Sequence, residues 1–213
     1  MTADLTADPV AVLDGARVVP VLTVRDPATA GPLAEALAEG GARCAEVTFR
    51  TPDAEQVVKA MAAHGGLAVG AGTVLTAEQA ERAVAAGARF VVSPGYDEEV
   101  VAACRELDVP VVPGVATATE LMRALRAGLT TVKLFPAEAV GGLRALRSLG
   151  APFPGVRFMP TGGIGPDQLA GYLAEPAVLA VGGSWMATPA HLDAGDYPEI
   201  RRLTAEAVRV GAP

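Results

Sequence analysis

Aromatic residues are scarce in this chain: Phe, Tyr and Trp make up 4% of its 213 residues. Its core must be built from small and branched aliphatic side chains, and an apolar share of 51% is enough to build one. Cysteine is nearly missing. Cys44 and Cys104 both fall in apolar stretches inside predicted elements and read as reduced core thiols, which excludes a disulfide framework. Histidine is as rare. His64 closes a predicted helix and His191 lies in a predicted late loop, so no metal-ligand cluster is expected. No Walker motif and no dinucleotide fingerprint occur. No uncharged apolar run is long enough to span a bilayer. The opening MTADLTADPV has neither a basic start nor a long apolar stretch, so no leader peptide is expected and the protein is read as cytoplasmic. Positive charge is in deficit, giving a net charge of −7, which disfavours nucleic acid and anionic membranes as partners. If the substrate is an anion, a few placed groups must attract it locally.

What the chain has in quantity is one repeated alternation. Short Val-rich runs are each followed by an Ala/Leu/Glu/Arg stretch of helical period. The runs are Val18–Val24, Cys44–Phe49, Leu67–Ala71, Phe90–Val92, Val109–Val112, Thr131–Phe135, Val156–Met159 and Val178–Val181. Continuous apolar strands separated by helices indicate a parallel sheet covered on both faces. Eight such units predict a closed α/β fold, the (β/α)8 TIM barrel, as a single domain over residues 1–213. An open doubly wound sheet would carry a glycine-rich turn after its first strand, but Val18–Val24 is followed by Arg25, Asp26 and Pro27. Asp26-Pro27, Thr51-Pro52, Thr76 with Glu78, and Gly165-Pro166 read as helix starts. Gly40-Gly41, Gly65-Gly66, Gly87 and Gly128 read as helix stops. Thr2–Asp14 reads as an extra N-terminal helix covering the bottom of the barrel.

The chain strongly prefers arginine, and Lys59 and Lys133 are its only lysines. Lys59 lies on a predicted helix with room for a solvated charge. Lys133 lies in TTVKLFP, a strand with both faces buried, near the C-terminal end where barrel active sites form. Loss of water favours the neutral form of an amine, which is nucleophilic; arginine does not deprotonate and cannot serve. A neutral amine there condenses with a ketone to an imine, an electron sink for carbon–carbon cleavage that needs no cofactor. The other reading is a structural ion pair with Glu46.

Glu46, Thr48 and Arg50 alternate along CAEVTFRT and share one face. A carboxylate facing the amine suits general acid/base work, and Arg50 can grip a carboxylate with two hydrogen bonds. Glycine turns follow strands seven and eight, PTGGIGP and VGGSWM. Their backbone N–H groups can approach a phosphate closely, with Thr161 and Ser184 as hydroxyl donors. Gly72 with Thr73, Ser93 with Pro94, and Pro113 line the same rim.

Together VVPVLTV, EVTFRTP, GAGTVLT, FVVSPGYD, VPVVPGVATATELM, VKLFPAE, FMPTGGI and VGGSWM closely resemble the 2-keto-3-deoxy-6-phosphogluconate (KDPG)/4-hydroxy-2-oxoglutarate (KHG) aldolase family, in the family's order, from Val18 to about Tyr197. The resemblance implies a class I aldolase on a (β/α)8 barrel, typically a homotrimer. It implies Lys133 as the Schiff-base lysine and Glu46 as the acid/base. It associates Arg50 and Thr73 with the pyruvate carboxylate, and Gly162, Gly163, Gly183 and Ser184 with the phosphate. Pro94, Phe135 and Thr161 match pocket-lining positions. Tyr96 and Leu134 are mild departures that bear on fine specificity. The expected substrate is therefore a phosphorylated keto acid, cleaved to pyruvate and glyceraldehyde 3-phosphate, with KHG cleaved to pyruvate and glyoxylate. The alternatives are the galactonate-derived epimer as substrate, or a phosphosugar isomerase or binding barrel with no covalent step.

Overall fold

The structure, a computed structural model, describes Leu13 and residues 15–212. The expected N-terminal helix over Thr2–Asp14 lies outside the described residues except for Leu13, which is fully buried.

Strands and helices alternate along the chain: β1 (Val18–Leu22), α1 (Ala30–Glu39), β2 (Cys44–Thr48), α2 (Ala54–His64), β3 (Ala68–Gly72), α3 (Ala77–Ala85), β4 (Val91–Val92) and α4 (Glu98–Glu106). There follow β5 (Val111–Val112), β6 (Gly114–Val115), α5 (Ala118–Arg126), β7 (Thr131–Leu134), α6 (Gly142–Gly150), β8 (Arg157–Phe158), α7 (Pro166–Leu173), β9 (Val181–Gly183), α8 (Pro189–Ala194) and α9 (Tyr197–Gly211). Helix starts follow capping chemistry. The Thr76 hydroxyl accepts the Gln79 N–H, and Asp97 accepts the N–H groups of Glu99 and Val100. Gly87 and Gly128 end their helices at positive φ, 103° and 72°, where a Cβ would be strained.

All strand pairs are parallel, in the orders β5-β4-β3-β2-β1-β9 and β6-β7-β8. The expected fifth strand, Val109–Val112, starts later, at Val111, and is followed after Pro113 by a further short strand, Gly114–Val115. Pro113 separates the two because proline has no N–H to give, although its carbonyl accepts from the Lys133 N–H at 2.8 Å. The expected last strand, Val178–Val181, runs instead over Val181–Gly183, with Val178 and Gly182 bridged to Phe158 and Thr161. Gly182 and Gly183 therefore sit in a strand, where Gly182 takes the pairing without a side chain that would collide with Thr161. The helix expected from Thr51-Pro52 begins at Ala54 behind Asp53, and His191, expected in a loop, lies in α8.

The period of two sorts side chains between faces. Val18, Val132 and Phe158 join the layer between sheet and helices, whereas Val19, Cys44, Phe90, Val92, Val112 and Met159 form an inner cluster. With few aromatic residues available, Phe90 is the largest filler of that interior, and Gly70 makes room for its ring. Truncating such a ring to alanine costs about 3–5 kcal/mol. Among the described residues, no helix is long and apolar enough to cross a membrane.

Candidate active site

The inner face continues from that apolar floor into polar groups. On β2, Ala45 and Val47 pack outward, so Cys44, Glu46 and Thr48 face inward. On β7, Val132 and Leu134 pack outward, so Lys133 faces inward too. The two charges meet: the Lys133 Nζ donates to Glu46 Oε1 at 3.0 Å and lies 3.4 Å from Oε2. The Glu46 side chain is 0% exposed and that of Lys133 is 5% exposed. An ion pair so buried is weak evidence for stability, because desolvating both charges offsets much of their attraction. The amine also sits 5.2 Å from the centroid of the Phe135 ring.

Room for the carboxylate comes from β3. Gly72 pairs in register with Thr48, and a Cβ there would overlap the Glu46 side chain. Below the pair, burial and then the Glu46 charge push the Cys44 thiol up to about 12, and burial pushes Cys104 up to about 12. Neither thiol is a nucleophile near neutral pH.

A cavity of about 600 Å³ opens at the C-terminal ends of the strands. Phe135, Thr161, Gly162, Gly163, Gly183, Ser184 and Arg50 all line it. Lys133 and Glu46 are not among its lining residues, but Val21, the strand partner of Glu46, lines it, and Phe135 belongs to both the cavity wall and the amine's surroundings. Arg50 falls beyond the end of β2, in a turn, and its Nε donates to Thr73 Oγ1 at 3.3 Å. Thr73 holds a positive φ of 57°, a conformation few non-glycine residues adopt, which presents its hydroxyl to that guanidinium. Pro94 stands off the cavity wall and packs against Gly114, the strand partner of Lys133. Gly162 and Gly163 have positive φ values of 100° and 80°, and among the described residues no carbonyl takes their N–H groups. Two successive donors in such a turn make an anion-binding concavity.

Val21, Thr23 and Glu138 also line the cavity and were missed by the sequence reading. The first two follow from the alternation in VVPVLTV, since Leu22 and Val24 pack outward. Thr23 and Thr48 share a 2.9 Å hydroxyl contact. Glu138 carries no periodic signal. Among the described residues, no group of three or more His, Cys, Asp or Glu side chains could hold a metal ion.

A parallel α/β sheet with a buried amine–carboxylate pair, flanked by residues that line a cavity at its C-terminal rim, is the make-up of a lysine-dependent carbon–carbon lyase. Residues 10–203 match the aldolase family described as KDPG and KHG aldolase. The chain is 48% identical over 199 residues to the 2-dehydro-3-deoxy-phosphogluconate aldolase of Treponema pallidum, covering 93% of this chain and 95% of that one. It is similar to the KDPG aldolase of Zymomonas mobilis ZM4 solved with 3-phosphoglycerate, with a TM-score of 0.86 and 44% identity over 92% of this chain and 93% of that one. It is also similar to the Legionella pneumophila KDPG aldolase with pyruvate captured at low pH as a covalent carbinolamine, with a TM-score of 0.88 and 40% identity over 92% and 95%. The chain belongs to the KDPG and KHG aldolase family, and its relatives are lyases.

Proposed function

We propose that the protein is a class I aldolase that cleaves KDPG to pyruvate and glyceraldehyde 3-phosphate through an imine on Lys133, and cleaves KHG to pyruvate and glyoxylate by the same steps. The observation that carries this reading is the Lys133 amine, held 3.0 Å from Glu46 in a water-poor interior and 5.2 Å from the ring of Phe135, which lines the cavity.

Transfer of one ammonium proton across that 3.0 Å contact yields a neutral amine and a carboxylic acid. The amine adds to the C2 ketone, and Glu46 returns the proton to the leaving hydroxyl, so that water departs and a protonated imine remains. The Glu46 carboxylate then accepts the C4 hydroxyl proton, directly or through a water. The C3–C4 bond breaks, its electron pair passes to the imine, and the aldehyde leaves. Glu46 returns the proton to C3 of the enamine, and hydrolysis frees pyruvate and the amine. Arg50, braced by Thr73, holds the keto-acid carboxylate, and Gly162, Gly163, Gly183 and Ser184 hold the phosphate. Pro94, Phe135 and Thr161 shape the pocket. This local arrangement accounts for anion binding by a chain of net charge −7.

The two sheets meet through Pro113 on one side and through the Phe158–Val178 and Thr161–Gly182 bridges on the other. These links support one closed (β/α)8 barrel as a single domain. The family's habit supports a homotrimer, and the net charge of −7 supports small molecules, not nucleic acid or anionic membranes, as partners.

The direct test is trapping. Wild-type protein incubated with pyruvate and borohydride is expected to gain the mass of one reduced pyruvate adduct per chain, mapped to the peptide containing Lys133. An unmodified mass, or an adduct at Lys59, overturns the reading. A second expectation concerns Gly72. Gly72→Ala forces the Glu46 side chain away from Lys133, so kcat is expected to fall about a hundredfold. The added crowding costs about 1–3 kcal/mol of stability. Steady-state kinetics and a thermal melt measure both, and a wild-type kcat would show that the carboxylate's position is immaterial.

A further inference from the structure

Glu138 lies in the loop after β7, the strand that carries Lys133, yet its carboxylate takes no part in the steps above. Its backbone is tied to the turn after β8: the Ala137 N–H donates to the Thr161 carbonyl at 2.8 Å, and the Glu138 N–H donates to the Gly162 carbonyl at 3.0 Å. Its side chain rests on Gly163 so closely that a Cβ there would come within 2.8 Å of Glu138 Cβ. Both carboxylate oxygens are engaged with α7. The Tyr172 hydroxyl donates to Oε1, and the Gln168 Nε2 donates to Oε2 at 2.8 Å. Gln168 in turn uses its Oε1 to accept the Gly165 N–H at 2.8 Å, capping the first turn of α7. One continuous line therefore runs from the loop, through Glu138 and Gln168, to the backbone at the start of that helix.

We propose that Glu138 is a positioning residue that sets the Gly162–Gly163 turn and the start of α7 as a seat for the substrate phosphate. This inference rests on the reading that the phosphate is held at that turn. A carboxylate lining an anion-binding cavity would ordinarily repel its ligand. Here a phenol and an amide donate to the two oxygens, so the charge is compensated within the protein and the group acts by geometry. Tyr172 is 2% exposed and packs in the outer core, which fixes its end of the line. Burial, then the Glu138 carboxylate, hold the Tyr172 hydroxyl above its ordinary range, so it remains a donor at every working pH.

The amide chemistry makes the line testable. In Glu138→Gln one acceptor oxygen becomes an NH2: turned to Tyr172 it makes the phenol accept where it now donates, and turned to Gln168 it faces another NH2. In the second orientation either that contact is lost, or Gln168 turns over and releases the Gly165 N–H, and in both orientations the charge that strengthened the two hydrogen bonds is gone. Losing a hydrogen bond to a charged group corresponds to about a tenfold change. The experiment compares kcat/KM for KDPG and for KHG, which has no phosphate, and measures inhibition of KHG cleavage by inorganic phosphate. It is run on the wild-type protein, Gly163→Asp, Glu138→Gln, Gln168→Leu and Tyr172→Phe. The expected result is a KDPG/KHG ratio that falls about tenfold in Glu138→Gln and about tenfold in each single-arm variant, through KM, with the phosphate inhibition constant rising in step. A ratio that holds in all three of these variants but collapses in Gly163→Asp keeps the phosphate seat and overturns the role of Glu138. Equal loss on both substrates, alongside a lowered melting temperature, overturns it as well, because that is what a merely structural clamp does. A wild-type protein indifferent to phosphate overturns the seat itself. Should Glu138→Gln fail to fold, Gln168→Leu and Tyr172→Phe carry the same comparison.

Discussion

Lys133→Met is expected to release no measurable pyruvate, a loss on the order of 10⁴-fold or more, and to gain no mass with pyruvate and borohydride. Methionine fills similar space and offers no amine. The loss has a structural cost that must be separated from the chemical one. Glu46 is completely buried, and removing its only ion-pair partner among the described residues leaves an uncompensated charge, worth about 3–5 kcal/mol. A domain of ordinary stability, about 5–15 kcal/mol, still folds after that. The double variant Lys133→Met, Glu46→Leu separates the two costs. Replacing both charges with apolar groups of similar size is expected to recover most of the lost stability in a denaturant melt, while cleavage stays absent. A pair that served only to hold the interior together would give the opposite result, with activity returning alongside stability. A Lys133→Met protein that cleaves KDPG at the wild-type rate would end the covalent mechanism.

The reasons Lys133 was legible in the sequence are chemical. In a chain that uses arginine almost throughout, a lysine in a β-branched run with both faces covered has few explanations, and one of them is nucleophilic. Glu46 was legible because the alternation in CAEVTFRT fixes which face it shares, and its contact with Lys133 spans 87 residues that no local pattern connects. Of the two expected glycine turns, the Gly162-Gly163 one is a turn at positive φ, whereas Gly182 and Gly183 lie in β9. The line from Glu138 to Tyr172 and Gln168 was not, because it joins residues 34 and 30 apart through side chains alone. The AE of VKLFPAE looks like any solvated loop. Strand limits failed where proline and glycine intervene. Pro113 separates the predicted fifth strand from a further short strand, Gly114–Val115, that was not expected, and Gly182-Gly183 extends another into what reads as a turn. Those two departures both fall beside the site: the Pro113 carbonyl holds the backbone of Lys133, and Gly183 lines the cavity.

Glu46→Gln is expected to separate imine formation from cleavage. The amide keeps the volume of the carboxylate and can still accept a hydrogen bond from the Lys133 amine through its oxygen, but it cannot take up a proton. Pyruvate is therefore expected to remain trappable on Lys133 by borohydride, at a reduced rate, because addition of an amine to a ketone still proceeds. Cleavage of KDPG is expected to fall about 10²–10⁴-fold, because no group at 3.0 Å from the reacting nitrogen removes the C4 proton. Exchange of the pyruvate methyl protons in deuterated water should fall with it, since the same carboxylate carries the proton to and from C3. Three readouts then bear on one atom. Trapping that survives while cleavage and exchange both collapse assigns Glu46 to proton transfer at carbon and oxygen. Cleavage lost with exchange unchanged would move the C3 step to another donor, and turnover at the wild-type rate would remove Glu46 from the chemistry altogether.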